Sequence, residues 1–240
     1  MHPVTIQKLC NINLQFYQTF ALQFLQTRQR IQPGIIAVLE EISPNANILE
    51  LGCGRGAVFI RLVQRGFRGN YTGLDFSAEI LSYTQDDCQV LDLTPRFFTA
   101  DLCQQDWDKT LGSMQYDYVL AFAVFHHIPS NSLRTTIFRK IHTLLKPGGS
   151  LIHSYWQFLN SPRLKARIQS WENIGLTPED VEEGDYLLDW RRGGYGLRYI
   201  HHFSEDELVE LAKKTGFSIT DQFLSDGEGG KLGLYQVWKR

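Results

Sequence analysis

Cysteine is scarce in this 240-residue chain: Cys10, Cys53, Cys88 and Cys103 stand far apart, with no CxxC pair. That excludes a disulfide framework and the paired spacing of structural zinc sites, and it fits reduced thiols. An excess of one charge is also missing, because 24 Lys and Arg against 26 Asp and Glu leave a formal net charge of −2. Phosphate affinity comes largely from counterions released by clustered cations, so any nucleic-acid role must rest on a local patch. No apolar run reaches the roughly 20 residues of a membrane span, and the opening MHPVTIQKLCNINLQFYQTF has no basic segment leading into an apolar one. The expectation is a cytoplasmic protein that does not engage a membrane. Repeats and low-complexity tracts are absent as well. With 43% hydrophobic residues, the chain can bury a sizeable core, and disorder and collagen-like structure are excluded.

Hydrophobic periodicity supplies the organisation. Leu14, Tyr17, Phe20, Ala21, Phe24 and Leu25, then Ile35, Ile36 and Leu39, recur at helical spacing around Pro33-Gly34, which predicts two helices joined by a turn. The period then changes. Strands are expected at 47–51, 71–75, 96–99, 116–121 and 150–155, with helices at 57–65, from the N-cap Ser77 to 86, and at 133–145 up to Pro147-Gly148-Gly149. Alternating strands and helices predict a mostly parallel sheet covered on both faces. Residues 157–202 are rich in Arg, Trp and Gly without a clear period and are read as an insertion. After it, Ser204-Glu205-Asp206-Glu207 has capping-box form, Gly216 is placed to end the helix, and strands 218–224 and 232–238 make a hairpin. The organisation is one domain over 1–240: a helical cap (1–45), a cofactor-binding half (46–156), an insertion on the substrate side (157–203), and a closing helix and hairpin (204–240).

The strongest chemical signal is Ile48-Leu49-Glu50-Leu51-Gly52-Cys53-Gly54-Arg55-Gly56, a strand running into a glycine loop that opens a helix. Glycine suits a main chain that a ligand must approach closely. About 20 residues on, Asp75 ends the second strand, where a carboxylate can accept both ribose hydroxyls of a nucleoside. Gly52, Gly54 and Ala57 also satisfy the dinucleotide pattern G-x-G-x-x-A, so an NAD(P)-dependent dehydrogenase is a rival reading. Three features argue against it: the helical segment before the first strand, Glu50 two residues before the first glycine, and the closing hairpin.

On these residues the chain resembles the class I S-adenosylmethionine-dependent methyltransferases from about residue 45 onward. The resemblance implies a three-layer Rossmann-like α/β fold with a seven-stranded mixed sheet and a C-terminal antiparallel hairpin. It also implies S-adenosyl-L-methionine as cofactor. Glu50 and the loop of Gly52, Gly54 and Gly56 would surround the methionine part, Asp75 the ribose, and Asp101 the adenine amine. Asp117 and Ala121-Phe122 would lie beside the sulfonium. A narrower resemblance rests on Phe16-Tyr17-Gln18-Thr19-Phe20 with Thr27-Arg28, on Ala121 to His127, on Gly184 to Trp190 and on Leu197 to Phe203. These segments, in this order, look like the tRNA methyltransferases that make 5-methoxycarbonylmethyluridine. That family esterifies a carboxymethyl group on wobble uridine, and its eukaryotic members use a small zinc-binding activator subunit. Asp189-Trp190 departs from the family's Pro-Trp, and the basic linker is reduced to Arg163, Lys165, Arg167, Arg191 and Arg192.

His126-His127 invites a metal reading, but adjacent residues at a strand end point in opposite directions and no further ligand spacing accompanies them, so no metal is expected. The family pattern places His127 toward the methyl donor. Arg28 and Arg198 are either solvated or bidentate anchors for a carboxylate or phosphate. The pairs Tyr17/Phe20 and Trp190/Tyr195 are either core or a base-stacking platform. The expected reaction is methyl transfer to a carboxylate of tRNA or of a small-molecule acid, with His127, Arg28 and Arg198 at the acceptor. The alternatives are the dehydrogenase and a catalytically silent binding subunit.

Overall fold

The computed structural model describes residues 1–27, 30–88 and 93–240. Helix α1 (Pro3–Thr27) and helix α2 (Pro33–Leu39) precede strand β1 (Asn47–Leu51). Pro33 does not break a helix; it opens α2 at its first turn, where proline's fixed φ and missing N–H cost nothing. The core alternates as expected: α3 (Ala57–Gln64), β2 (Asn70–Asp75), α4 (Ala78–Cys88), β3 (Arg96–Thr99), β4 (Tyr116–Phe122), α5 (Asn131–Leu144) and β5 (Leu145–Trp156). Ser77 caps α4 by accepting the Ile80 N–H at 3.3 Å. Strand β5 begins earlier than expected and takes in Pro147-Gly148-Gly149, with a register shift against β4 at that point.

The closing elements are α7 (Glu205–Thr215), β9 (Ser218–Ser225) and β10 (Gly233–Lys239). Ser204 caps α7 through the Glu207 N–H at 3.2 Å, but the Glu207 carboxylate turns away from the reciprocal bond toward His201. The seven-stranded sheet has the order β3-β2-β1-β4-β5-β10-β9. Strands β1 to β5 pair in parallel, while β10 runs antiparallel to both β5 and β9.

Side chains alternate across this sheet, so each strand feeds two cores. Leu49 and Val119 face Ile137 and Phe138 of α5 and Leu208 and Leu211 of α7. Ile48 and Leu120 face Val38 of α2 and Phe59 and Leu62 of α3. Each fully buried aliphatic or aromatic side chain contributes about 1.5–3 kcal/mol, so helices on both faces are required to cover the strands.

The stretch read as an aperiodic insertion folds. It holds α6 (Pro162–Lys165) and a second antiparallel sheet of β6 (Ile168–Gln169), β7 (Asp185–Trp190) and β8 (Gly196–His201), in the order β6-β7-β8. Strand β7 is buried along both faces, which erases the polar-apolar alternation that marks a strand in sequence. Helix α1 packs against β8. Among the described residues, no helix is long and apolar enough to cross a membrane.

Candidate active site

A cleft of about 290 Å³ opens at the carboxyl ends of β1, β2 and β4, roofed by α1 and walled by β8. This is where open parallel sheets expose the loops that bind ligands. Its floor is the glycine loop. Gly52 has a φ of +69°, and a Cβ there would meet the Val124 methyl at 2.6 Å, so no other residue fits. Gly54, at φ +50°, faces open space where a Cβ would intrude into the cleft. The Gly52 and Cys53 N–H groups donate to the Leu74 carbonyl at 2.8 and 3.0 Å, which ties the loop to the end of β2. Gly56 is the residue before α3 and shapes the turn without lining the cleft.

Two carboxylates project from the strand ends into this floor. Asp75 accepts the Gly54 N–H on one oxygen at 2.9 Å and the Ser77 N–H on the other at 3.0 Å. Burial pushes its pKa up, against the pull of these N–H groups. Glu50 is 3% exposed and accepts the Tyr71 hydroxyl. Burial, opposed by that bond and reinforced by the nearby Asp75 charge, pushes its pKa up to about 8. Among the described residues neither carboxylate has a cationic partner. Uncompensated buried carboxylates beside an open glycine cradle suit a ligand that carries positive charge and hydroxyl donors. Asp101 also lines the cleft, half-buried, accepting the Cys103 N–H at 2.9 Å and the Gln104 amide at 3.3 Å. Phe122, at the end of β4, completes this side.

A buried carboxyl that stays protonated in the folded chain but ionises when unfolded favours folding at low pH. Its contribution fades as pH rises from the ordinary carboxylate range through about 8. The wild type should therefore lose melting temperature relative to Glu50→Gln as pH goes from about 5 to 8. Parallel melting curves for the two proteins would refute this assignment of Glu50.

The opposite half of the cleft gathers two imidazoles and a guanidinium. His126 and His127 do not end a strand; they form a one-turn 3-10 helix, Phe125–His127, and both rings line the cleft with centroids 4.3 Å apart. A helical turn separates successive side chains by about 100–120° instead of 180°, which is why the opposite-faces expectation fails. His127 Nε2 lies 2.7 Å from the Tyr17 hydroxyl, and Nδ1 lies 3.4 Å from the Tyr199 carbonyl. Arg198 is buried beside them, its guanidinium 4.8 Å from the Trp156 ring centre, 5.4 Å from Phe16 and 5.7 Å from Trp190. Such aromatic faces hold a guanidinium in place in a desolvated wall. Arg30 also lines the cleft, and Arg55 lines it from the glycine loop.

Arg28 lies outside the described residues. Asp117 is corrected: it stands at the start of β4, bonded to Lys146 at 2.8 Å and to the Asn47 N–H at 2.8 Å, away from the cleft that Phe122 borders. Five residues of strand separate the two by about 16 Å. Tyr17, Phe20 and Trp190 form an aromatic cluster with Phe16, whereas Tyr195 is 63% exposed. The basic run is partly neutralised, since Asp189 pairs with Arg191 at 2.6 Å and with Arg167 at 3.9 Å.

Several contributors escaped sequence reading. Asn13, Cys10 and Cys103 line the cleft. The Cys103 thiol bonds to Cys10, which together with burial and Asp101 raises its pKa well above the usual thiol value. Ala123 holds a φ of +57°, fixed by its N–H donating to the Ser154 carbonyl and hydroxyl. Strain at a cleft residue of this kind persists only where neighbours enforce it. Among the described residues, no group of three His, Cys, Asp or Glu side chains is arranged to hold a metal.

This sheet order, with its antiparallel closing strands and its cleft over a glycine loop, is the class I methyltransferase fold. A S-adenosylmethionine-dependent methyltransferase from Methanosarcina mazei superimposes with a TM-score of 0.66 at 21% identity, covering 88% of this chain and 98% of that one. The 1,6-didemethyltoxoflavin-N1-methyltransferase of Burkholderia thailandensis, solved with bound 1,6-didemethyltoxoflavin and S-adenosylhomocysteine, gives 0.66 at 19% identity, covering 98% of this chain and 88% of that one. The family described as methyltransferase domain matches residues 24–222, and the chain belongs to that family. Pavine N-methyltransferase of Thalictrum flavum is 28% identical over 112 residues, 46% of this chain and 29% of that protein. The matches span less than half the length of the curated relatives.

Proposed function

We propose that the chain transfers a methyl group from S-adenosylmethionine to a carboxylate, carried either by a small-molecule acid or by a carboxymethylated uridine of tRNA. The observation that carries this reading is the division of the cleft into a side of carboxyls and a side of imidazoles and a guanidinium. Glu50, Asp75 and Asp101 stand at the ends of β1 to β3, while His126, His127 and Arg198 gather at the opposite wall. The residues of the first half fit the methyl donor: the open face at Gly54 admits it, Asp75 would take the ribose hydroxyls, and the buried carboxyl of Glu50, which a neighbouring cation would favour in its ionised form, suits the cationic methionine end. Bound there, S-adenosylmethionine supplies an electrophilic methyl group on a sulfonium. Arg198 offers a guanidinium fork shaped for a carboxylate, and its three aromatic neighbours exclude water from it. A carboxylate is ionised at neutral pH, so these residues need to orient it and need not remove a proton. The resemblance to the carboxymethyluridine family supports the same acceptor, and a small activator subunit belongs to the tRNA form of the proposal.

The product is then a methyl ester, which mild alkali cleaves. With methyl-labelled S-adenosylmethionine and a cell extract divided into RNA and small molecules, the labelled fraction should release methanol on brief alkaline treatment. Label that survives alkali would overturn the carboxylate acceptor and point to nitrogen, carbon or an ether oxygen. Ester label confined to small acids would retain the reaction and remove tRNA.

A further inference from the structure

Strand β8 is an edge of the second sheet, and an edge strand leaves backbone N–H and C=O groups that must find partners when covered. Helix α1 covers it, yet a helix has no free backbone to offer. The partner is a single side chain. Asn13, 6% exposed, accepts the Tyr199 N–H on Oδ1 at 2.8 Å, and its Nδ2 donates to the Tyr199 carbonyl at 3.1 Å. The same Nδ2 donates to the carbonyl of His127 at 3.1 Å. One acceptor and two donors are thus all used, which only a carboxamide at this reach can do. Aspartate has the shape without the donors, and glutamine is one methylene too long.

The consequence lies one bond further on. The Tyr199 carbonyl held by Asn13 also faces His127 Nδ1, and a carbonyl only accepts, so Nδ1 carries the proton of that bond. In the neutral imidazole Nε2 is then bare, and the Tyr17 hydroxyl at 2.7 Å donates to it. Tyr17 follows Asn13 by four residues, on the same face of α1. We infer that Asn13 is a positioning residue for the acceptor half of the cleft: its carboxamide fixes the Tyr199 and His127 carbonyls, holds His127 as the Nδ1–H tautomer, and keeps Nε2 as acceptor of the Tyr17 hydroxyl. The designation of this half as the acceptor side rests on the function proposed above; the hydrogen-bond arrangement does not. Asn13 acts through Tyr199 and His127 and needs no contact with the reacting atoms.

Long-range ¹⁵N histidine spectra of the full chain, assigned with His127→Gln, test the inference. Recorded above the pH at which His127 titrates, the wild type should show Nδ1–H favoured at least about tenfold, and Asn13→Ala and Asn13→Asp should lose that preference. Both variants should bind S-adenosylhomocysteine within about threefold of wild type, because the Asn13 carboxamide bonds to His127 and Tyr199 and to none of Glu50, Asp75 and the glycine loop. Tyr17→Phe, which leaves every bond of Asn13 intact, should keep the Nδ1–H form. Nε2–H in the wild type, an unchanged His127 spectrum in a folded Asn13 variant, or a tautomer switch in Tyr17→Phe would each overturn it. If the Asn13 variants do not fold, the wild-type and Tyr17→Phe spectra decide. Failure of the wild type to bind S-adenosylhomocysteine would instead defeat the methyl-donor reading and leave the tautomer result standing.

Discussion

Replacing Asp75 with alanine is expected to weaken binding of S-adenosylhomocysteine by at least about tenfold, with little change in fold. The carboxylate stands at the end of β2 with one N–H on each oxygen, from Gly54 and Ser77, which aims the remaining lone pairs into the cleft. Two hydroxyl donors of a ribose would each make a charge-assisted bond worth on the order of 1.5–3 kcal/mol before water replaces it. The substitution also removes the acceptor that holds the Gly54 N–H, so the glycine loop loses its anchor to β2 at that point. Both effects lower affinity. Calorimetric titration of the two proteins is the measurement, and equal affinities would remove Asp75 from the cofactor site.

Arg134→Met should lower stability by about 3 kcal/mol, the lower end of the range for leaving buried charges uncompensated, and the melting temperature by about 6–12 °C. Arg134 is 2% exposed and donates to Glu182 at 3.0 Å, to Glu207 at 3.3 Å and to the Ile128 carbonyl at 3.1 Å. It therefore joins α5 to β7's entry loop, to α7 and to the cleft wall at once. Around it, His201 bonds Asp185 at 2.7 Å and Glu207 at 2.9 Å, and the Tyr199 hydroxyl donates to Asp185 at 2.6 Å. Without the guanidinium, Glu182, Glu207 and Asp185 keep the Met1 ammonium, 3.9 Å from Glu182, and the His201 ring as their partners. The two glutamates are about a quarter exposed, so water moderates the loss. Methionine keeps the volume, which separates the charge effect from a cavity. A melting temperature within about 2 °C of wild type would show that the network contributes little.

Features whose cause is local can be read directly from the residues. Gly52 turns the chain at φ +69°, Asp75 ends a strand that the following Ser77 cap terminates, and Gly216 closes α7 at φ +87°. A run of a few residues holds the information for each, so the parallel core, its hairpin and the glycine-loop side of the cleft are legible. The opposite wall, with Asn13, His127 and Arg198, forms from contacts between distant parts of the chain. The Asn13 bonds to His127 and Tyr199 span 114 and 186 residues, and the Arg134 bonds to Glu182 and Glu207 span 48 and 73. Strands β7 and β8 show no polar-apolar alternation because Leu9 of α1 packs against Tyr199 while Phe158 and Leu164 pack against Leu188 and Ile200, and strand reading depends on that alternation. His126 and His127 were misplaced because a 3-10 turn at the end of β4 follows from what packs against it, the rings of Trp156 and Tyr17. Periodicity reports which face of an element is apolar; which distant element meets that face is fixed only when the chain has closed upon itself.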